Sequence, residues 1–303
     1  MSDRETEQSG SRRWTCFLDY YDKQTGIVRK TLAQCRTTFA SEAFHDFRVG
    51  VKRLRAFADL IAWVNPRFDQ TSLRKALKPL YRASGAVRDR QVRMELIRTQ
   101  APGLVAGLSE YYNHLKQQEM AARPAFMTVL ARFDSEILVG ARTAVFECIS
   151  GLDDNLLLFR AEAMFQDLLD QILSDATNQE PGVEEYHRVR MLAKQTRYVL
   201  EVIRACESRS DTLGTLDTRL RDLHRALGIW RDRIVAADAL ERFRHDYPAA
   251  SLRDEHAYAA YLNILYHESK TNLDLFPELI NRLTASWDTF QSQSPTTTYP
   301  SES

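Results

Sequence analysis

Glycine and proline are scarce in this chain of 303 residues, with only 11 and 9 copies. A fold rich in β-strands needs many tight turns, in which these two residues are favoured. Alanine, leucine, arginine and glutamate are abundant instead, and the alternation of apolar and polar residues that marks a strand is almost absent. The composition therefore predicts an all-α protein.

Long hydrophobic runs are also missing. The longest uncharged internal stretch, Thr99–Ser109, has 11 residues, whereas a helix needs about 20 apolar residues to span a bilayer. The first residues, MSDRETEQSGSRR, are polar and contain no apolar core of a secretory signal. These absences predict a soluble cytoplasmic protein with no membrane partner.

The cysteines form no CxxC pair, and they are too widely spaced for the common zinc motifs. Their spacing favours unpaired buried thiols in a reducing compartment over a disulfide framework. The signatures GxxxxGK[ST], GxSxG and HExxH are absent too, so a phosphate loop, a common hydrolase site and a zinc-protease site are not expected. The cysteines are Cys16, Cys35, Cys148 and Cys206.

Two blocks of sequence occur twice in the same order. Residues 44–61 align with 186–203 at an offset of 142, and residues 77–92 align with 220–235 at an offset of 143. In the second pair, nine of 16 positions are identical. Two matched blocks at nearly the same offset predict a tandem duplication of a unit of about 140 residues.

The duplication predicts two similar halves, about 14–150 and 151–288, related by a pseudo-two-fold axis and flanked by disordered tails at 1–13 and 289–303. Helical periodicity predicts four main helices in each half. The predicted helices cover about 20–39, 41–64, 71–99, 105–148, 154–176, 182–206, 212–245 and 252–287. Ser41 is expected to cap its helix and Asn65-Pro66 to end it, while Pro79 and Pro124 should kink or split theirs.

A stripe of cations runs along the helix predicted over 41–64. At 100° per residue, His45, Arg48, Lys52 and Arg55 lie within an arc of about 80°, and apolar residues border this arc on both sides. We call these four residues the first stripe. The duplicated block repeats them as the second stripe: His187, Arg190, Lys194 and Arg197. On one flank of the first stripe lie Phe47, Val51, Leu54, Ala58 and Ile61, which predict a buried face.

Cations between apolar flanks need either neutralising carboxylates or an anionic ligand, because an unpaired buried charge costs several kcal/mol. Residues 44–98 contain 13 Lys/Arg and 5 Asp/Glu, and residues 186–233 contain 11 and 6, so the neutral total hides a segregation of charge. The neighbouring acids Asp59, Glu201, Asp89 and Asp232 are too few to neutralise the stripes. An anion is therefore favoured, and phosphate oxygens suit arginine and lysine. If the halves face each other, the stripes would converge on a channel that fits a linear polyanion.

These motifs resemble the CHAD domain, the conserved histidine α-helical domain. The resemblance rests on HxxRxxxKxxR at 45–55 and 187–197 and on RAxGxxRD at 82–89 and 225–232, and it spans about 20–287. It implies two four-helix bundles around a basic central cleft or pore that binds inorganic polyphosphate, and association with polyphosphate granules in bacteria or archaea. The matching residues are His45, Arg48, Lys52, Arg55, Arg82, Arg88, His187, Arg190, Lys194, Arg197, Arg225 and Arg231.

The chain departs from the family pattern in two places. Gln91 and Ile234 stand where an acid often follows the RD pair, which weakens any metal site, and Gln195-Thr196 replace Arg53-Leu54 in the second stripe. No cofactor, metal or catalytic residue is expected, so non-catalytic binding is predicted. A polyphosphate kinase or a granule protein is a further candidate partner.

Several alternatives remain open at the level of sequence. His45 and His187 either contact phosphate or are structural histidines. The pairs Arg88-Asp89 and Arg231-Asp232 are expected to link helices, and Trp230 is expected in the core. The alternative function is binding of a single-stranded nucleic-acid backbone through the same groove. Nucleic acid is the less favoured partner, because Tyr186 and Tyr198 are the few aromatic residues at the edge of a stripe.

Overall fold

The computed structural model describes residues 13–176, 182–206, 211–247 and 254–293. Within these ranges no strand is present, and the regular structure consists of α-helices and one 3-10 turn, Pro102–Leu104. The all-α prediction is therefore confirmed. The helices are α1 (Arg13–Thr38), α2 (Ser41–Val64), α3 (Gln70–Gln100), α4 (Ser109–Ala131), α5 (Glu136–Ile149), α6 (Asp154–Ala176), α7 (Val183–Cys206), α8 (Asp211–Asp246), α9 (Glu255–Asp274) and α10 (Phe276–Gln293).

Two of the predicted helices are each divided in two. The helix predicted over 105–148 is interrupted between α4 and α5, where the Asp134 carboxylate accepts a hydrogen bond from the Glu136 amide at 2.9 Å. The helix predicted over 252–287 is interrupted at Leu275, because Pro277 lacks the amide hydrogen that a continuous helix would need. The expectation for Pro79 and Pro124 is corrected in one respect, since both lie inside α3 and α4 and neither ends its helix.

The ends of α2 lie where the sequence places them. Asn65 is extended, with φ −138° and ψ 104°, as expected for the residue before a proline. At the start, however, the capping position is Ala40, and no side chain caps the helix. Ser41 is instead the first helical residue, and its hydroxyl accepts a hydrogen bond from Arg88. The role predicted for Ser41 as a cap is therefore wrong.

The described residues form two compact units, each assembled from separate stretches of the chain. Unit 1 contains 13–92, 116–165 and 201–206, and unit 2 contains the remaining described residues. Each unit thus takes residues from both predicted halves, so the units differ from the contiguous ranges 14–150 and 151–288. The duplication and its pseudo-two-fold axis stay predictions.

Unit 1 is built on the packing of α1 against α2. The face of α2 that the sequence predicts as buried is buried, since Phe47, Val51, Leu54 and Ile61 have no exposed surface. The aromatic rings of α1 pack around Phe57 of α2, with ring centroids 5.7–6.5 Å apart. This packing fixes the rotation of α2, and with it the direction in which the first stripe points. The rings of α1 are those of Phe17, Tyr20 and Tyr21.

Unit 2 is built on α8, α9 and α10. Leu220, Leu223 and Leu227 form the buried face of α8 and have no exposed surface. Trp230, on the same helix, is only 3% exposed, so its predicted place in the core is confirmed. The Trp287 indole of α10 donates a hydrogen bond to the Asp170 carboxylate at 3.2 Å.

The cysteines correct one expectation. Cys16 and Cys206 form a disulfide within unit 1, with their Cα atoms 5.4 Å apart. Cys35 is a buried free thiol and Cys148 a half-buried one, and burial raises the pKa of Cys35 to about 12. The expectation of four unpaired thiols is therefore wrong for the first and last cysteines, whose separation of 190 residues gave no local signal.

The predicted tails are partly corrected. α1 begins at Arg13 and α10 extends to Gln293, so residues 289–293 are helical. The rest of the predicted tails, 1–12 and 294–303, lies outside the described residues. Among the described helices, none combines the length and the hydropathy that crossing a membrane requires.

Candidate functional site

Arg48, at the centre of the first stripe, is held against α3. Its guanidinium donates a hydrogen bond to the Tyr81 carbonyl at 2.8 Å and lies over the Tyr81 ring, 4.2 Å from the centroid. Cation–π contact and a hydrogen bond to a carbonyl orient a guanidinium without neutralising its charge. The structure therefore fixes Arg48 in place and leaves it cationic.

Gly85 of the RAxGxxRD motif makes room for this guanidinium. A Cβ atom at position 85 would lie 2.7 Å from Arg48 Nη1. In the second copy, a Cβ at Gly228 would lie 4.0 Å from Arg190 Nε. In both copies, the glycine of the RAxGxxRD motif thus lies next to the arginine of the HxxRxxxKxxR motif, although the contact is tight only at Gly85.

The two glycines give a matched pair of substitutions. Gly228→Ala should stabilise the protein by up to about 1 kcal/mol, because alanine favours a helix and 4.0 Å is an ordinary contact. Gly85→Ala should stabilise it less or not at all, because the Arg48 guanidinium must move away from the new Cβ atom and its hydrogen bond to the Tyr81 carbonyl is weakened. Urea unfolding of both variants measures the difference, and equal shifts in the same direction would contradict the role of Gly85.

Arg55 and Arg82 extend the cationic surface of unit 1. Arg55 lies over the same Tyr81 ring as Arg48, 5.8 Å from its centroid, and Arg82 is exposed. Among the described residues, no carboxylate lies within ion-pair distance of Arg48, Arg55 or Arg82. In the described part of the chain, these three guanidinium groups therefore have no acid to pair with, and two of them lie over the Tyr81 ring.

The nearby acids pair with cations beside the stripe. Glu201 accepts two hydrogen bonds from Arg53, at 2.7 and 3.0 Å. Asp59, one helical turn from Arg55, accepts a hydrogen bond from Arg74. Burial raises the pKa of Asp59, and Arg74 and Arg55 oppose this rise only in part. The acids that could neutralise the first stripe are thus largely engaged elsewhere.

His45 and Arg88 lie close together at the N-terminal end of α2. Desolvation of the imidazole, followed by the charges of Arg88 and Lys52, lowers the pKa of His45, although the residue is exposed. Arg88 donates a hydrogen bond to Ser41 on α2. Arg88 thus links α3 to α2, as expected for the Arg88-Asp89 pair, whereas its neighbour Asp89 is exposed and forms no ion pair with a described residue.

Gln91 has a structural role that the sequence did not reveal. Its side-chain amide donates hydrogen bonds to the Phe39 carbonyl at 2.9 Å and to Glu119 at 3.3 Å. Phe39 has φ 51°, in the left-handed region that a phenylalanine rarely adopts, and Arg123 lies over its ring. Phe39 immediately precedes the capping residue of α2. Gln91 therefore helps to hold the turn from which the first stripe begins.

The second stripe lies on α7 in unit 2 and faces α8. Arg190 Nε and His187 Nδ1 are buried without a hydrogen-bond partner. Lys194 contacts the Met191 sulfur at 3.6 Å, and Arg197 lies 3.4 Å from His224 Nδ1. Two of the four residues thus have a buried polar atom with no described partner, which a polar ligand or water would satisfy.

The arginines of the RAxGxxRD motif in the second copy, on α8, differ in their contacts from those of the first copy, on α3. Arg225 forms an ion pair with Asp222 at 3.1 Å, whereas Arg82 at the matched position has none. Arg231 is half-buried, with no described ion pair. Tyr186 packs on Trp230 and Phe276, and Tyr198 is 3% exposed. Beside the second stripe, Tyr198 is therefore buried, and Tyr186 is half-buried against two other aromatic rings.

Within each unit, the structure brings the two motifs together. Unit 1 holds the six predicted residues of the first copy and unit 2 the six of the second. Among the described residues, no group of three histidine, cysteine or acidic side chains is placed to hold a metal ion. The prediction that the two stripes face each other concerns both units, and it stays a prediction.

Comparison with known proteins identifies the family. The CHAD domain family matches residues 20–241. Because this match includes both copies of both motifs and covers more than half of the chain, the chain belongs to the CHAD domain family. The comparison with curated proteins gave no match.

Two solved structures are similar in fold. The crystal structure of the CHAD domain from the plant Ricinus communis has a TM-score of 0.73 and 22% sequence identity, and the similarity covers 90% of this chain and 91% of that one. PptA from Streptomyces chartreusis has a TM-score of 0.54 and 18% identity, with 91% and 99% covered. At these identities, both structures support the fold alone.

Proposed function

We propose that this protein binds inorganic polyphosphate and does not hydrolyse it. The binding surfaces are cationic, and they are formed by the two stripes and by the RAxGxxRD motifs of α3 and α8. Membership of the CHAD family and the charge of the site support this proposal. A family member from a plant has the same fold, so the fold does not restrict the protein to bacteria or archaea. Residence in the cytoplasm and on polyphosphate granules, with a polyphosphate kinase or granule protein as partner, belongs to the same proposal.

The observation that carries the proposal is a set of guanidinium groups on α2 and α3 without a neutralising acid, two of which lie over the Tyr81 ring. Arg48, Arg55 and Arg82 have no carboxylate within ion-pair distance among the described residues. Had the stripe been a structural salt-bridge network, Asp59 and Glu201 would be expected to pair with it, but they bind Arg74 and Arg53. Like charges held close together repel each other, so a bound polyanion relieves that repulsion.

Phosphate oxygens suit this surface better than a nucleic acid does. The Tyr81 ring is covered by Arg48 and Arg55, and Tyr198 is buried, so neither ring is free to stack on a base. Binding of single strands without sequence preference relies on such stacking platforms. Polyphosphate carries no sugars or bases, and its charges therefore lie closer together than those of RNA. A dense cluster of arginine and lysine matches that spacing.

The chemistry of the site supports binding rather than hydrolysis. Arginine and lysine donate hydrogen bonds to phosphate oxygens, but they supply no nucleophile and no general base at neutral pH. The histidine of the first stripe has a lowered pKa and lies beside Arg88 and Lys52. Because a phosphate oxygen there would favour the protonated imidazole, His45 suits contact with the ligand. No turnover is expected.

A titration tests the proposal. Long-chain polyphosphate and a single-stranded RNA of matched total charge should be titrated into the purified protein by calorimetry at several salt concentrations. We expect tighter binding of polyphosphate and a steep loss of affinity as salt rises, because bound phosphates release counterions. Equal or tighter binding of RNA would overturn the assignment, as would release of orthophosphate by the clean protein, abolished by His45→Ala.

A further inference from the structure

An open groove lies in unit 1, and none of its lining residues belongs to the first stripe. It is a groove of about 610 Å³ between α1 and the turn that joins α4 to α5. Its floor is formed by Val28, Leu32 and Leu138, which are buried, and its wall includes Met127 and Phe133, which are half-buried. The groove is therefore apolar where it is deep.

The rim of this groove is cationic. Arg29 and Arg36 both line it, and both are exposed. They are seven residues apart on α1, which is two helical turns or about 10.5 Å along one side of the helix. Neither arginine forms an ion pair with a described residue. Two unpaired cations thus stand at a fixed spacing beside an apolar groove.

The dimensions of the groove fit a helix. Its lining on α1 extends from Val28 to Thr37, which is about 15 Å and matches two to three turns of a docked helix. Exposed residues such as Ala33 and Ala131 are part of the lining, so the groove is open to solvent along its length. An open apolar groove of this length suits the apolar face of an amphipathic helix.

We propose that this groove is a docking site for an amphipathic helix of a partner protein, with acidic residues spaced seven apart beside the apolar face. Those carboxylates would pair with Arg29 and Arg36 while apolar side chains fill the groove. The terminal segments of this chain do not have that chemistry, since 1–12 contains only Met1 as a large apolar residue and 294–303 only Tyr299. This inference does not rest on polyphosphate binding, because no stripe residue lines the groove.

Charge reversal tests the site, and α1 offers a matched control. The probes are two fluorescent helical peptides of about 18 residues with leucines on one face, one carrying glutamates seven apart beside that face and the other lysines. Arg29→Glu with Arg36→Glu should weaken binding of the glutamate peptide at least about tenfold, because attraction becomes repulsion. Lys23→Glu with Lys30→Glu has the same spacing and the same charge change, but these two lysines line different pockets of unit 1.

We expect the control variant to bind the glutamate peptide as the wild type does, measured by fluorescence anisotropy. Ala33→Trp, which fills the groove without changing charge, should also abolish binding. The proposal is overturned if the wild type binds neither peptide, if it binds the lysine peptide equally well, or if both double variants lose the same affinity. The proposal is also overturned if the wild type is a dimer and the Arg29→Glu, Arg36→Glu variant is a monomer. The groove would then bind a second copy of this chain.

Discussion

Arg55→Glu combined with Arg82→Glu should weaken polyphosphate binding by a factor of at least about 100. A hydrogen bond to a charged group contributes about 1.5–3 kcal/mol, so two lost contacts amount to about 3–6 kcal/mol, and each 1.4 kcal/mol is about tenfold in affinity. The double variant should remain folded, because neither arginine forms a described ion pair. Loss of the contact between Arg55 and the Tyr81 ring should cost no more than about 1 kcal/mol of stability.

Calorimetric titration and thermal melting of the same samples measure both effects. Arg67→Glu with Arg132→Glu is the matched control, since both residues are exposed arginines of unit 1 outside the stripe. The control should retain affinity within a few-fold, because long-range charge effects are screened by salt. Arg48 is a poorer target for reversal, because its bond to the Tyr81 carbonyl is structural. The opposite result would be a double variant that is largely unfolded but whose folded fraction still binds polyphosphate with wild-type affinity. That result would show that Arg55 and Arg82 stabilise the fold and do not bind the ligand.

Cys16→Ser should lower the free energy of unfolding by about 2–5 kcal/mol under oxidising conditions. The disulfide joins positions 190 residues apart, and a cross-link that closes a long loop restricts the unfolded chain strongly. The variant should therefore melt well below the wild type, and dithiothreitol should lower the wild type to the same value. Cys148→Ser makes the same chemical change at a half-buried free thiol, and it should have little effect.

The measurements are urea unfolding and a count of reactive thiols. Unreduced, denatured wild type should show two reactive thiols from its four cysteines, since Cys35 and Cys148 are free. Four reactive thiols before reduction would show that the bond does not form. Wild type and Cys16→Ser melting at the same temperature without reductant would show that it does not stabilise the fold.

Much of the first stripe could be predicted from the sequence, because helical periodicity is a local signal. Phe47, Val51 and Leu54 recur at the spacing of one helix face, and their burial fixes where Arg48 must point. The duplication also marked the two motifs as a recurring pair, and the structure adds that the motif glycine lies beside the stripe arginine in each unit. These features depend on residues a few turns apart, or on a pattern that the chain repeats.

The features that sequence reasoning missed depend on distant partners. The second copy has His224 where the first has Tyr81, so the duplication gave no reason to expect a phenol ring beneath two guanidinium groups. Ser41 is a residue type that often caps a helix, but here its hydroxyl accepts a hydrogen bond from Arg88 and does not cap α2. The pairing of Arg53 with Glu201 links residues 148 apart, and no local pattern records it.

The assembly of unit 1 from separate stretches also has a consequence for synthesis on the ribosome. Leu157 and Ala161 of α6 belong to this unit and are fully buried, and Glu201 and Cys206 supply one of its ion pairs and its disulfide. A nascent chain of 150 residues lacks all four, so the first half leaves the exit tunnel with part of its apolar surface uncovered. Completion of this unit must wait until about two-thirds of the chain has emerged. During that interval the uncovered apolar surface of the first half is exposed to association with other chains or with chaperones.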